Sequence, residues 1–87
     1  MPTVWIPALL RHLTQDQETV QVAGQNLQEV ITALEARFPG IQARLCQDDA
    51  LRPGIAAVVD TQVVRGGLSE PVQPNSEVHF IPAIGGG

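Results

Sequence analysis

Few residues of this chain are of types that do chemistry, and their spacing assembles no catalytic set. His12 and His79 are the two histidines. Neither is accompanied by a serine or cysteine motif, and a nucleophilic triad is defined by three roles, not by one residue type. His79 sits at an outward position of a strand-like run and His12 follows Arg11 in a connector, so both read as solvated surface residues. Asp48-Asp49 offers two adjacent carboxylates, too few oxygen ligands for calcium or magnesium, and reads as a solvated loop. Cys46 is the single cysteine, which excludes an internal disulfide framework and a Cys-rich zinc site. It lacks an activating neighbour and reads as a small, partly buried hydrophobe. Arg65-Gly66-Gly67 resembles one unit of an RNA-binding repeat, but a single copy in an acidic domain carries little weight.

The last three residues, Gly85-Gly86-Gly87, offer a different chemistry. Glycine loses the most backbone entropy on ordering, so three in a row resist fixed structure. One reading is a frayed terminus. The other is functional: a chain without side chains threads a narrow channel and presents its carboxylate to a distant active site. The tail follows an apolar strand directly through Pro82, so the domain is complete before it begins. Composition alone does not choose between the two.

Such a tail needs a small domain behind it, and 87 residues make one, leaving no room for a second. A 44% hydrophobic content suffices for a single core. The formal net charge of −4 argues against nucleic acid or an anionic membrane as the main partner, and suits a partner with a basic docking surface. No apolar run approaches the length of a membrane span, and the N-terminus lacks the pattern of a signal peptide, so a cytoplasmic location is expected. Lysine is absent altogether. Either an activated C-terminus is spared amines of its own to acylate, or the composition has drifted to arginine.

Thr3 to Pro7 alternates with Val4 and Ile6 inward, and Glu18 to Ala23 alternates with Val20 and Val22 inward. These predict an antiparallel strand pair joined through Ala8–Leu13, a short helical connector, and the polar run Thr14–Gln17. Asn26 and Glu29 form a capping-box pattern ahead of Leu27, Val30, Ile31, Leu34 and Phe38, one apolar stripe at helical spacing. Each of these contributes about 1.5–3 kcal/mol if fully buried. Pro39-Gly40 stops the helix, Ile41 to Gln47 adds a short further turn, and Asp48 to Gly54 reads as loop. Ile55–Val59, Gln62–Arg65 and Glu77–Ile81 complete the strands.

The order β-β-α-β-β-β predicts an α+β fold: a mixed four- to five-stranded sheet on one main helix, with the first and last strands parallel. This is the β-grasp, or ubiquitin-like, arrangement. Residues 1–82 form the domain and 83–87 a glycine tail. With Val78 and Phe80 inward, Trp5, Pro7 and Ile81 face outward on adjacent strands. They would form an exposed apolar patch beside the tail, suited to recognition. In the opposite strand phase, Trp5 is core.

The ending Ile81-Pro82-Ala83-Ile84-Gly85-Gly86-Gly87 resembles that of the MoaD/ThiS family of ubiquitin-like sulfur carriers, which close on a hydrophobic strand, a proline, small residues and Gly-Gly. The resemblance extends over essentially the whole chain. Ile6-Pro7, Leu34-Glu35-Ala36, Gly66-Gly67-Leu68 and Ile81-Pro82-Ala83 most resemble the CysO-type carriers of cysteine biosynthesis.

The resemblance implies a co-substrate and not a catalyst. Gly87, with Gly86, would be the sulfur-carrying end, and Gly85, Ile84, Ala83 and Pro82 would engage partners together with the Trp5 patch. An adenylyltransferase/sulfurtransferase resembling ubiquitin-activating enzymes would use ATP to convert the Gly87 carboxylate to a thiocarboxylate. A cysteine-synthase-like enzyme holding pyridoxal phosphate would accept the sulfur, and a zinc metalloprotease would release cysteine. No cofactor is expected on this chain itself. Relatives on the same fold serve as the small subunit of molybdopterin synthase, whose large subunit is the acceptor, as the thiamine sulfur carrier, or as protein modifiers. A plain interaction module with an inert tail is the remaining reading.

Overall fold

The computed structural model describes residues 1–82. Among them, the chain runs β1 (Thr3–Trp5), a 3-10 helix (Ala8–Leu13), β2 (Thr19–Gln21), α1 (Leu27–Arg37), α2 (Ile41–Leu45), β3 (Cys46–Gln47), β4 (Ala50–Leu51), β5 (Ile55–Val59), β6 (Gln62–Val64) and β7 (Glu77–Pro82). Five strands form one sheet in the order β2-β1-β7-β5-β6. β1 is antiparallel to β2 and parallel to β7, and β5 is antiparallel to both β6 and β7. The final strand therefore lies in the middle of the sheet, bonded on both sides.

The inward members of the alternating runs, Val4, Ile6, Val20, Val22, Val78 and Phe80, are all buried. They meet Leu27, Val30, Ile31 and Leu34 of α1 and Phe38 just beyond it in a single core. α1 starts where its amides find partners. Asn26 Oδ1 accepts from Glu29 N at 2.8 Å, while Leu27 N and Gln28 N donate to the carbonyls of Glu70 and Leu68. The expected capping box is displaced by one residue, because Glu29 Oε1 accepts from Gln25 N and not from the cap residue. The segment before β7 thus doubles as the seat of the helix N-terminus.

Geometry calls for glycine at Gly24 and Gly40, on either side of α1. A Cβ on Gly24 would stand 2.8 Å from both the amide nitrogen and Cγ2 of Val30, so only glycine lets β2 turn this closely into α1. Gly40 takes φ 103° between the two helices, a left-handed position that other residues adopt at a cost. Glu35 reaches across that turn and accepts from Gly40 N and Gln42 N, and these two bonds hold its carboxyl below the usual range.

Several boundaries differ from expectation. β1 ends at Trp5, not Pro7, because proline has no N–H for the ladder and Pro7 instead leads into the 3-10 helix; Ile6 N still bonds Glu18 O at 2.8 Å. β2 is likewise shorter than Glu18–Ala23, β6 stops at Val64, α1 ends at Arg37 with Phe38 as its cap, and β7 continues to Pro82. α2 stops at Leu45, short of the expected Gln47, and a second, two-stranded sheet spans the end of that segment and the expected Asp48–Gly54 loop: Cys46 pairs with Leu51 and Gln47 with Ala50. Its turn is Asp48-Asp49, both at positive φ (55° and 64°), the conformation that closes a two-residue hairpin. That turn accounts for the paired carboxylates without a metal. Among the described residues, no group of three or more His, Cys, Asp or Glu is placed to hold one, and no helix is long and apolar enough to cross a membrane.

Candidate functional site

β7 delivers the chain to residue 83, and both its ends are fixed. At its start, the Asp60 carboxylate in the β5–β6 turn accepts from Glu77 N at 3.0 Å and from Ser76 Oγ at 2.8 Å, while Asp60 N donates to Glu77 O. The Glu77 amide, and secondarily the Ser76 hydroxyl, hold the Asp60 carboxyl below its ordinary value. At its end, Ile81 pairs with Ala56 and Pro82 with Ile55. The strand is thereby held in register up to the residue from which the tail departs.

On the face of the sheet away from the helix, one cross-strand row runs Thr19, Trp5, His79, Val58, Val63 across all five strands. Trp5 is 38% exposed and Val63 57%, and Ile81, 39% exposed, stands two positions beyond His79. The outward phase of Trp5 follows from burial of its neighbours Val4 and Ile6. His79 departs from expectation: it is half-buried, not freely solvated. Its ring stacks on Trp5 with centroids 5.1 Å apart and planes 8° from parallel. Glu77 Oε1 accepts from Trp5 Nε1 at 3.2 Å and lies 3.5 Å from His79 Nε2. These contacts give the patch a rigid aromatic centre with a carboxylate at one edge.

Around the root of the tail, the sheet, the 3-10 helix and α2 enclose an open groove of about 690 Å³. Pro7, Leu9, Ile81 and Pro82 supply its apolar surface, and Arg44 and Arg52 its charge. Leu9 is 85% exposed, whereas its neighbour Leu10 is buried. Arg52 Nη1 donates to Ala43 O at 3.2 Å, tying the approach to β5 onto α2. Of the expected site residues, Trp5 and Ile81 share the outer face, and Pro7, Ile81 and Pro82 share the groove. Ala83, Ile84, Gly85, Gly86 and Gly87 lie outside the described residues.

Leu9, Arg44 and Arg52 were not expected at this site. Leu9-Leu10 carried a faint signal, since two adjacent leucines on one tight helical turn face different ways. The arginines carried none. Elsewhere, Cys46 is half-buried against the core, and burial, with the Asp49 carboxylate second, pushes its thiol up. That is the opposite of what a reactive thiolate needs.

Residues 4–87 match the ThiS family. This chain belongs to that family. It is 37% identical over 92 residues to the sulfur carrier protein CysO of Mycobacterium tuberculosis, across 98% of this chain and 97% of that one. Among solved structures, a chain in the Amycolatopsis orientalis BexX/CysO complex superposes with a TM-score of 0.91 at 35% identity, covering 100% of both chains. CysO of Mycobacterium tuberculosis superposes at 0.89 with 34% identity, over 97% of this chain and 100% of that one. The ThiS-family chain thus has the ubiquitin-like β-grasp fold, with the two-residue hairpin β3–β4 between its helices and its central strands.

Proposed function

We propose that this ThiS-family chain is a sulfur carrier of cysteine biosynthesis. It is a co-substrate of partner enzymes and not a catalyst. A free carboxylate is a poor electrophile. An adenylating partner joins the Gly87 carboxylate to AMP with release of pyrophosphate, which creates a good leaving group. A sulfur donor then displaces AMP and leaves a thiocarboxylate, the form that hands sulfur to an acceptor synthase. ATP, and any pyridoxal phosphate or zinc, belong to the partners; this chain contributes the handle and the terminal atom.

The observation that carries this reading is the 37% identity to CysO over nearly the full chain, together with a family match that runs to Gly87. The architecture agrees with it. The strand that leads to the tail is central and pinned at both ends, so a partner gripping the patch around Trp5 and Ile81 finds Pro82, after which the tail begins, at a fixed place. Residues 83–87, fully extended, would project the carboxylate about 17 Å beyond Pro82. The solved BexX/CysO complex shows that a relative of this fold assembles with a second protein.

The test is intact mass after incubation with the adenylating enzyme encoded beside a cysteine-synthase-like gene, ATP and a sulfur donor. The mass should rise by about 16 Da as oxygen gives way to sulfur at an activated carboxylate. An unchanged mass with an enzyme verified on another carrier overturns the reading. High-mass conjugates containing this chain would replace it with protein modification.

A further inference from the structure

The chain carries a formal net charge of −4, which suits a partner with a basic docking surface. The groove at the tail root runs against that balance. Among the described residues lining it, the charged ones are Arg44 and Arg52, both exposed, with no carboxylate among them. Arg11, by contrast, has Glu18 at 3.7 Å, and Arg37 donates to Gln21 O and lies over the Phe38 ring. Arg52 makes one bond to a carbonyl, and neither groove arginine has a carboxylate at ion-pair distance among the described residues. The other described residues lining the groove are apolar, including Leu9 at 85% exposure.

We propose that this groove receives an acidic, extended segment of the adenylating partner, its apolar side chains against Leu9 and Ile81 and its carboxylates on Arg44 and Arg52. The identity of that partner rests on the function proposed above; the chemistry of the occupant rests on the groove. Guanidinium forks match carboxylates in two parallel hydrogen bonds, and apolar surface alone would not select a sign of charge. The groove is lined by Ile81 and Pro82, the last described residues before the tail, and so adjoins the place where a partner that takes the tail must approach.

Two measurements test this. In the first, the isotope-labelled chain is titrated with a capped hexapeptide of alternating leucine and glutamate. Saturable amide shifts are expected at Leu9, Arg44, Arg52 and Ile81. Affinity should fall about fivefold between roughly 50 and 300 mM salt, and about tenfold in Arg44→Glu/Arg52→Glu. Arg65→Glu, outside the groove, should match the parent. Arg44→Glu alone guards against loss of the Arg52–Ala43 bond, and should show part of the effect with a native spectrum. No saturable shift at the groove, equal affinity in the double variant, or equal binding of a leucine–lysine peptide overturns the proposal.

In the second, the double variant is presented to the adenylating enzyme. KM for the carrier should rise about tenfold with kcat unchanged, because the arginines hold the handle and do not touch the reacting carboxylate. A parent that gains sulfur while the double variant keeps its KM overturns the groove and leaves the carrier function standing. A parent that gains no sulfur but binds the acidic peptide through both arginines overturns the carrier function and supports the groove.

Discussion

Trp5 and His79, opposite one another across the parallel β1–β7 pair, stack with ring centroids 5.1 Å apart and planes 8° from parallel. The two rings join the first strand to the last at the centre of the outer face, and Glu77 holds the indole N–H from the side. An aromatic held in this way enters an interface with little rotamer freedom left to lose. The stack is thus both a strand-pairing device and the firmest element of the candidate docking patch.

Trp5→Ala should separate these two roles. Loss of the stacked pair should lower stability by about 0.5–1.5 kcal/mol, measured by urea denaturation. The KM for the carrier with its adenylating enzyme should rise more than tenfold, as for a buried aromatic anchor. Denaturation comparable to loss of a core residue, with KM unchanged, would make the indole purely structural.

Asp60 sets an acid limit. Its carboxyl is held below the ordinary value by the Glu77 amide and the Ser76 hydroxyl, so the unfolded chain binds the proton more readily than the folded one. Its contribution is present above the unfolded value of about 3.9 and is lost as pH falls through the folded value. Thermal midpoints should fall steeply below about pH 4 in the parent and more gently in Asp60→Asn. Parallel curves would show that this contact is not what titrates.

Gly24→Ala tests the close approach of β2 to α1. The added Cβ meets the backbone of Val30 as well as its side chain, and backbone at a helix start cannot step aside. Destabilisation of about 1–3 kcal/mol by overpacking is expected from chemical denaturation. Gly67→Ala, where a Cβ meets nothing within 4 Å, should change stability little.

Deleting Gly86-Gly87 should abolish thiocarboxylate formation, read by intact mass, while the denaturation midpoint stays within about 0.5 kcal/mol of the parent. The buried core of the described residues ends at Phe80, so the deletion removes none of it. A truncated chain that unfolds would place structural weight on the tail.

The buried faces and the main helix were legible before any coordinates. Each is written in local periodicity: Val4 and Ile6, Val78 and Phe80, or the stripe from Leu27 to Phe38 repeat at the period of their own element. The same periodicity placed Trp5 and Ile81 outside, and the glycine-rich ending pointed to the family. The β3–β4 hairpin escaped because two-residue strands are too short to show a period. His79 read as an isolated surface residue because its partner, Trp5, lies at the other end of the chain and meets it through strand register. Arg44 on α2 and Arg52 ahead of β5 came together with Leu9 and Pro82 by the same kind of long-range placement. Burial is encoded locally because each element must solve it alone. Which outward side chains become neighbours depends on how the elements are stacked, and no window of the sequence contains that.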